Sequence, residues 1–204
     1  MSKEVTIIDY DAGNIFNLFN SLTRLNCKVK VTSNSKEIEK SDRLIIPGVG
    51  AFKEGIQNLE EKKLTKSIKI FAEKKKPMLG ICLGMHYLMD YSEEFGKTDG
   101  LKIINGNVKK FTSNKKYRIP HIGWNYLNYS GDEIFSSLKK KPTFYFCHSY
   151  FVHSIDPSKV IGKTEYAETE FCAVIRNKNI YGCQFHPERS GKDGELFLKN
   201  FINI

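Results

Sequence analysis

The chain has 204 residues, of which 40% are hydrophobic, 27% charged and 12% aromatic, an ordinary makeup for a globular protein and enough for one well-buried domain over residues 1–204. Its apolar runs are of strand length, far short of the roughly 18–20 residues of a membrane span, and no signal-peptide pattern opens it, so a cytoplasmic home is expected. The formal charge of +9 comes largely from lysines in short scattered groups (74–76, 109–110, 115–116, 139–141), without a basic helix or aromatic–basic motif, which reads as solvated surface and not as a nucleic-acid site.

Residues 4–9 (EVTIID) read as a buried opening strand, followed by a turn at 10–14. Ile15, Leu18, Phe19, Leu22 and Leu25 then recur at the spacing of one helix face. A second strand is expected at 28–32, a loop after it, and a third strand at 43–46 that runs into Pro47-Gly48-Val49-Gly50. One helix is expected over 51–75, then a strand at 78–81 and a further helix after Cys82. This alternation predicts an α/β fold, a doubly wound and largely parallel sheet with helices on both faces. Residues 103–185 carry shorter segments rich in Val, Ile, Tyr and Phe between polar turns, which predicts an appended antiparallel strand region; a last helix is expected at 194–202.

Residues 76–90 (KPMLGICLGMHYLMD) carry the strongest chemical signal. Glycines two positions either side of Cys82, between an apolar strand and a helical pattern, are the layout of a nucleophile elbow. The small residues let two backbones approach closely, and a helix N-terminus favours the reactive, ionised form of a thiol. Five cysteines with no CxxC spacing argue against a disulfide framework and a zinc knuckle. Cys27, Cys147, Cys172 and Cys183 read as buried core thiols, and no metal is expected.

A cysteine nucleophile needs a base. His186 closes an apolar strand, Pro187 directs the chain away from it, and Glu188 is placed to orient the ring. His148 is the rival base; His121 and His153 carry no particular signal. An oxyanion site needs N–H donors, which Leu83 and the glycine-rich 47–50 loop can supply. That loop lacks the lysine and hydroxyl of a phosphate-binding loop.

GICLG around Cys82 together with HPE at His186, Pro187 and Glu188 resembles the class I (triad) glutamine amidotransferases. DYDAGN (9–14), PGVGAF (47–52), PHIGWN (120–125), FYFCHSYFV (144–152) and QFHPERSGKDG (184–194) narrow the resemblance to glutaminase subunits of imidazole glycerol phosphate synthase, over nearly the whole chain. The resemblance implies that Cys82, His186 and Glu188 are catalytic, that Leu83, Val49 and Gly50 form the oxyanion hole, and that Gly48, Gly50, His86, Ser149 and Tyr150 bind L-glutamine. It implies no cofactor, no nucleic acid and no membrane. It also implies a heterodimer with a cyclase subunit that receives the ammonia, with Trp124, Asn125 and Arg189 at the interface. Duplicated amidotransferases that feed amino- or amidino-sugar synthesis share the chemistry and form the alternative. Three residues depart from the family pattern: His86 stands for a usual glutamine, Arg189 for a usual lysine and Asp11 for a usual glycine.

Overall fold

A computed structural model describes residues 3–112 and 116–204; Lys115 of the 115–116 pair lies outside the described residues. The first half runs β1 (Glu4–Ile8), α1 (Ile15–Arg24), β2 (Lys28–Thr32), α2 (Ser35–Lys40), β3 (Leu44–Ile46), α3 (Phe52–Glu61), α4 (Thr65–Glu73), β4 (Met78–Ile81) and α5 (Leu83–Tyr87). The second half adds β5 (Tyr91–Ser92), β6 (Thr98–Asp99), β7 (Gly106–Lys110), β8 (His121–Tyr126), β9 (Asn128–Tyr129), β10 (Thr143–His148), β11 (Tyr150–Ser154), β12 (Val160–Tyr166), β13 (Thr169–Asn177), β14 (Ile180–Cys183) and α6 (Gly191–Asn203).

Strands β2-β1-β3-β4-β14 pair in parallel and form one side of a twelve-stranded sheet. The near-continuous apolar runs of β1, β3, β4 and β14 follow from burial on both faces, whereas the edge strand β2 (KVKVT) alternates and is only partly buried. Alternate residues serve two separate cores: Val5, Ile7, Ile45, Leu79 and Ile81 pack with α1 and α6, whereas Ile8, Leu44, Ile46 and Met78 pack with α2 to α5. Helices therefore cover both faces, as expected. Beyond β14 the sheet continues antiparallel through β13 and β11 to β7, and β8 and β10 make a small antiparallel sheet of their own.

Four expectations need correction. The loop expected between β2 and β3 contains α2, started by Asn34, whose side chain accepts from the backbone N–H groups of Lys36 and Glu37. The single helix expected over 51–75 is two, broken where Lys63 takes a left-handed φ of 57°. β14, expected among the antiparallel segments, joins the parallel set beside β4. Finally, Cys147 is exposed, while Cys27, Cys172 and Cys183 are buried: alternation along β10 turns Phe146 and His148 inward and Cys147 outward.

Candidate active site

Cys82 leaves the end of β4 with φ 53° and ψ −110°, a backbone that a non-glycine residue adopts only under constraint. The constraint is close packing of backbone on backbone. A methyl group on Gly84 would lie 1.9 Å from the Ile46 carbonyl oxygen, and one on Gly80 would lie 2.5 Å from the Gly84 oxygen. A methyl on Gly48 would meet the Gly84 nitrogen at 2.7 Å. The elbow is thus wedged against β3 and the 47–50 loop, and the Tyr10 hydroxyl secures that loop by donating to the Pro47 carbonyl at 2.5 Å.

His186 arrives from the neighbouring strand. β14 pairs with β4 in parallel, Cys183 opposite Ile81, and the Cys82 N–H continues the ladder to the Cys183 carbonyl at 2.7 Å. Three residues further on, the His186 N–H is held by the Tyr145 carbonyl at 2.9 Å, and its own carbonyl accepts from the Ser190 hydroxyl at 2.6 Å. The ring turns to Cys82 on one side and, through Nδ1, to Glu188 Oε1 at 2.9 Å on the other. Glu188 Oε2 is buried with no protein partner among the described residues, so the carboxylate's charge falls on the imidazole. Burial alone would lower the pKa of His186, but the Cys82 charge and hydrogen bond, with Glu188 behind the ring, outweigh burial and hold it up to about 11. The arrangement favours a protonated imidazole facing the Cys82 sulfur.

His148, the rival base, is engaged elsewhere. Asn125 Nδ2 donates to His121 Nε2 at 3.3 Å, which places the His121 proton on Nδ1, facing His148 Nε2 at 3.0 Å. The His148 Nδ1–H then donates to the Tyr150 carbonyl at 2.8 Å. Burial lowers the pKa of both rings, His121 to about 4. Neutral and bonded at both nitrogens, His148 has no lone pair left to offer a nucleophile.

A cavity of about 440 Å³ opens over Cys82, lined by Val49, Gly50, Leu83, His86, Ser149 and Tyr150, with His186 and Arg189 also in its wall. Every residue expected in the oxyanion and substrate sets reaches it except Gly48, which lies beneath, packed against the elbow. His86 is buried; its Nε2 meets Gln184 Oε1 at 2.8 Å, and burial lowers its pKa to about 4. The three residues expected at an interface divide. Trp124 is exposed on β8 between Ile122 and Tyr126, and the Arg189 guanidinium lies 4.8 Å from the Tyr145 ring centre, next to Trp124. Asn125 points the other way and spends its amide on His121 and on the Glu165 carbonyl.

Sequence reasoning missed Asn14, Glu94, Phe95, Lys110 and Gln184. The first four line the cavity, and Gln184 stands behind it with its amide nitrogen 3.7 Å from Cys82 Sγ. Glu94 accepts from the Phe52 N–H at 2.6 Å and so caps α3 from 42 residues away, where Ala51 provides no side-chain cap. The alternation of β8 could have separated Trp124 from Asn125; nothing in the sequence announces Glu94. Among the described residues no group of His, Cys, Asp or Glu is arranged to hold a metal ion, and no helix is long and apolar enough to cross a membrane.

Comparison with known proteins agrees with this geometry. Residues 6–204 match the model of the family described as glutamine amidotransferase class-I. The chain is 42% identical to imidazole glycerol phosphate synthase subunit HisH 2 of Methanococcus maripaludis, over 97% of this chain and 98% of that protein. It is 44% identical to subunit HisH of Caldanaerobacter subterraneus, over 97% and 96%. Among solved structures, PurLQS from Thermotoga maritima superposes with a TM-score of 0.76 at 19% identity, covering 100% of this chain and 99% of that one. A glutamine amidotransferase from the same organism gives 0.63 at 16%, covering 97% and 81%. At such identities these structures speak for the fold.

Proposed function

This chain belongs to the class I glutamine amidotransferases, and from that membership we propose that it is a glutaminase of the imidazole glycerol phosphate synthase type, with Cys82 as nucleophile, His186 as acid and base, and Glu188 as its orienter. One observation carries the reading: thiol, imidazole and carboxylate meet at the ends of two adjacent parallel strands, under a cavity large enough for an amino acid.

The Cys82 thiolate attacks the side-chain amide carbon of L-glutamine. The charge developing on the amide oxygen is taken by the N–H of Leu83 and by an N–H from Val49 or Gly50, donors that act without reorganising solvent. Protonated His186 gives its proton to the departing nitrogen, and ammonia leaves behind a glutamyl thioester. Neutral His186 then draws a proton from water, which attacks the thioester and frees glutamate. Glu188 keeps the ring turned with Nε2 toward sulfur and stabilises the imidazolium in both steps. All of these groups belong to the protein or the solvent.

Ammonia released into water is protonated and stops being a nucleophile, so the chemistry calls for a partner that consumes it directly. We assign that role to a cyclase subunit, docked where Ile122, Trp124 and Tyr126 leave an apolar strip beside Tyr145 and Arg189. Both partners would work in the cytoplasm. The names borne by the curated relatives favour this reading over amino-sugar synthesis.

The test is a glutaminase assay of the chain alone and with a cyclase subunit and its nucleotide ligand. Turnover should be slow alone and much faster in the complex, and Cys82→Ala should reduce it by at least about 10⁴-fold. Activity that survives Cys82→Ala removes the assigned nucleophile; equal activity with and without the partner removes the coupling.

A further inference from the structure

Behind the Cys82 sulfur, on a side the triad does not use, stands a buried polar pair. Gln184 is fully enclosed and His86 nearly so. The Gln184 backbone is fixed to the sheet by its N–H to the Ala173 carbonyl at 2.9 Å, and its side chain is enclosed by the packing around it. Its Oε1 meets His86 Nε2 at 2.8 Å, and its Nε2 lies 3.7 Å from Cys82 Sγ, within the reach of an N–H···S hydrogen bond.

The direction of this chain is set by elementary hydrogen-bond bookkeeping. A neutral imidazole carries one N–H. If that proton sits on Nε2, it donates to the Gln184 oxygen, and the amide must then present its NH₂ to sulfur. The reverse orientation would put an amide oxygen against a thiolate, two acceptors with no proton between them. Burial keeps His86 neutral, its pKa lowered to about 4, so it brings no positive charge of its own and acts only by directing the amide.

From this arrangement we propose that Gln184 is a positioning residue for the nucleophile, its amide N–H aimed at the Cys82 sulfur by the Nε2–H of His86. The inference rests on Cys82 being the nucleophile, as proposed above. It adds a neutral donor to the thiolate on top of the charge of His186, and hydrogen bonds to charged groups are among the stronger ones. It also gives His86 a purpose apart from the substrate: the ring lines the cavity, yet in the proposed tautomer its one proton is directed inward to Gln184.

Mass spectrometry of the Cys82 peptide can follow alkylation by iodoacetamide at pH 6.5, which separates Cys82 from the exposed Cys147. Gln184→Met, similar in length but without a donor, should slow alkylation about tenfold. In the complex with the cyclase subunit it should lower kcat and leave the KM for glutamine within about twofold. His86→Leu should slow alkylation in the same direction by a smaller factor, and His86→Gln, which again offers an N–H to Oε1, should restore it. Circular dichroism and a thermal melt monitor folding, and the two His86 variants keep the test open if Gln184→Met does not fold. Wild-type alkylation rates in Gln184→Met or His86→Leu would overturn the proposal, as would a His86→Leu effect confined to KM. Failure of the underlying reading shows differently, as activity that survives Cys82→Ala.

Discussion

The two walls of the cavity are built on opposite principles. The wall that carries the chemistry is sealed: Cys82, Leu83, His86, Gln184 and His186 are buried, and its glycines touch neighbouring backbone so closely that a methyl group has no place. The facing rim is open. Val49 is 44% and Phe95 86% exposed, and a methyl on Gly50 would have nothing within 4 Å. The proposed nucleophile, base and orienter are therefore fixed in advance, while one of the proposed oxyanion donors sits on a peptide with open space beside it. A partner that settles that peptide could switch the enzyme without moving a reacting side chain.

Three experiments would break or sharpen this contrast. The largest effect should come from acid. His86, His121 and His148 are buried neutral, with His86 and His121 held at about 4 and His148 well below its ordinary value. Because they are protonated in the unfolded chain below about pH 6.5 but not in the folded one, their share of stability falls as pH falls; His186, held up to about 11, works the other way over this range by roughly 1 kcal/mol and offsets only part of it. From pH 7.5 to 5 the loss should be roughly 2 kcal/mol for each of His86 and His121, with His148 adding in the same direction, read from urea midpoints. A flat profile would mean that water reaches these rings.

Next in size is Gly84→Ala. Its methyl would lie 1.9 Å from the Ile46 oxygen, so β3 or the elbow must move, at a cost on the order of 4 kcal/mol. A urea melt near wild type would show that the sealed wall has slack. The smallest effect belongs to Gly50→Ala, where space is open but φ is 101°, for roughly 1–2 kcal/mol of backbone strain. Stability should fall by no more than that strain, while partner-stimulated kcat falls further than the stability loss explains. Unchanged stimulation would show that this peptide does not need a left-handed backbone.

What was legible in the sequence follows the same division. The central parallel strands β1, β3 and β4 announce themselves because they are buried on both faces and therefore largely apolar, and the glycines around Cys82 stand out because nothing larger fits. The choice of His186 over His148 was legible in the HPE run, but its physical reason was not, since that depends on which imidazole has a free nitrogen, and His148 is occupied by His121 from another strand. α2 escaped notice because it buries only Ile38. Gln184 looked like one polar residue at a strand end; its meaning comes from His86, 98 positions earlier in the chain. The break at Lys63 lies inside a stretch of good helix formers and is imposed by tertiary packing around Leu64, which is buried completely.

The in-register pairing of β4 with β14 makes the sheet a ruler for the reaction. With Ile81 opposite Cys183, Cys82 sits one residue beyond the mark on one strand and His186 three residues beyond it on the other. Side chains alternate faces along a strand, so a single-residue insertion or deletion in either strand would turn its reactive group to the wrong face, even with all three triad residues intact. A change in length should therefore be tolerated only away from this pair, while the few residues after Ile81 and Cys183 act as a fixed measure between sulfur and imidazole.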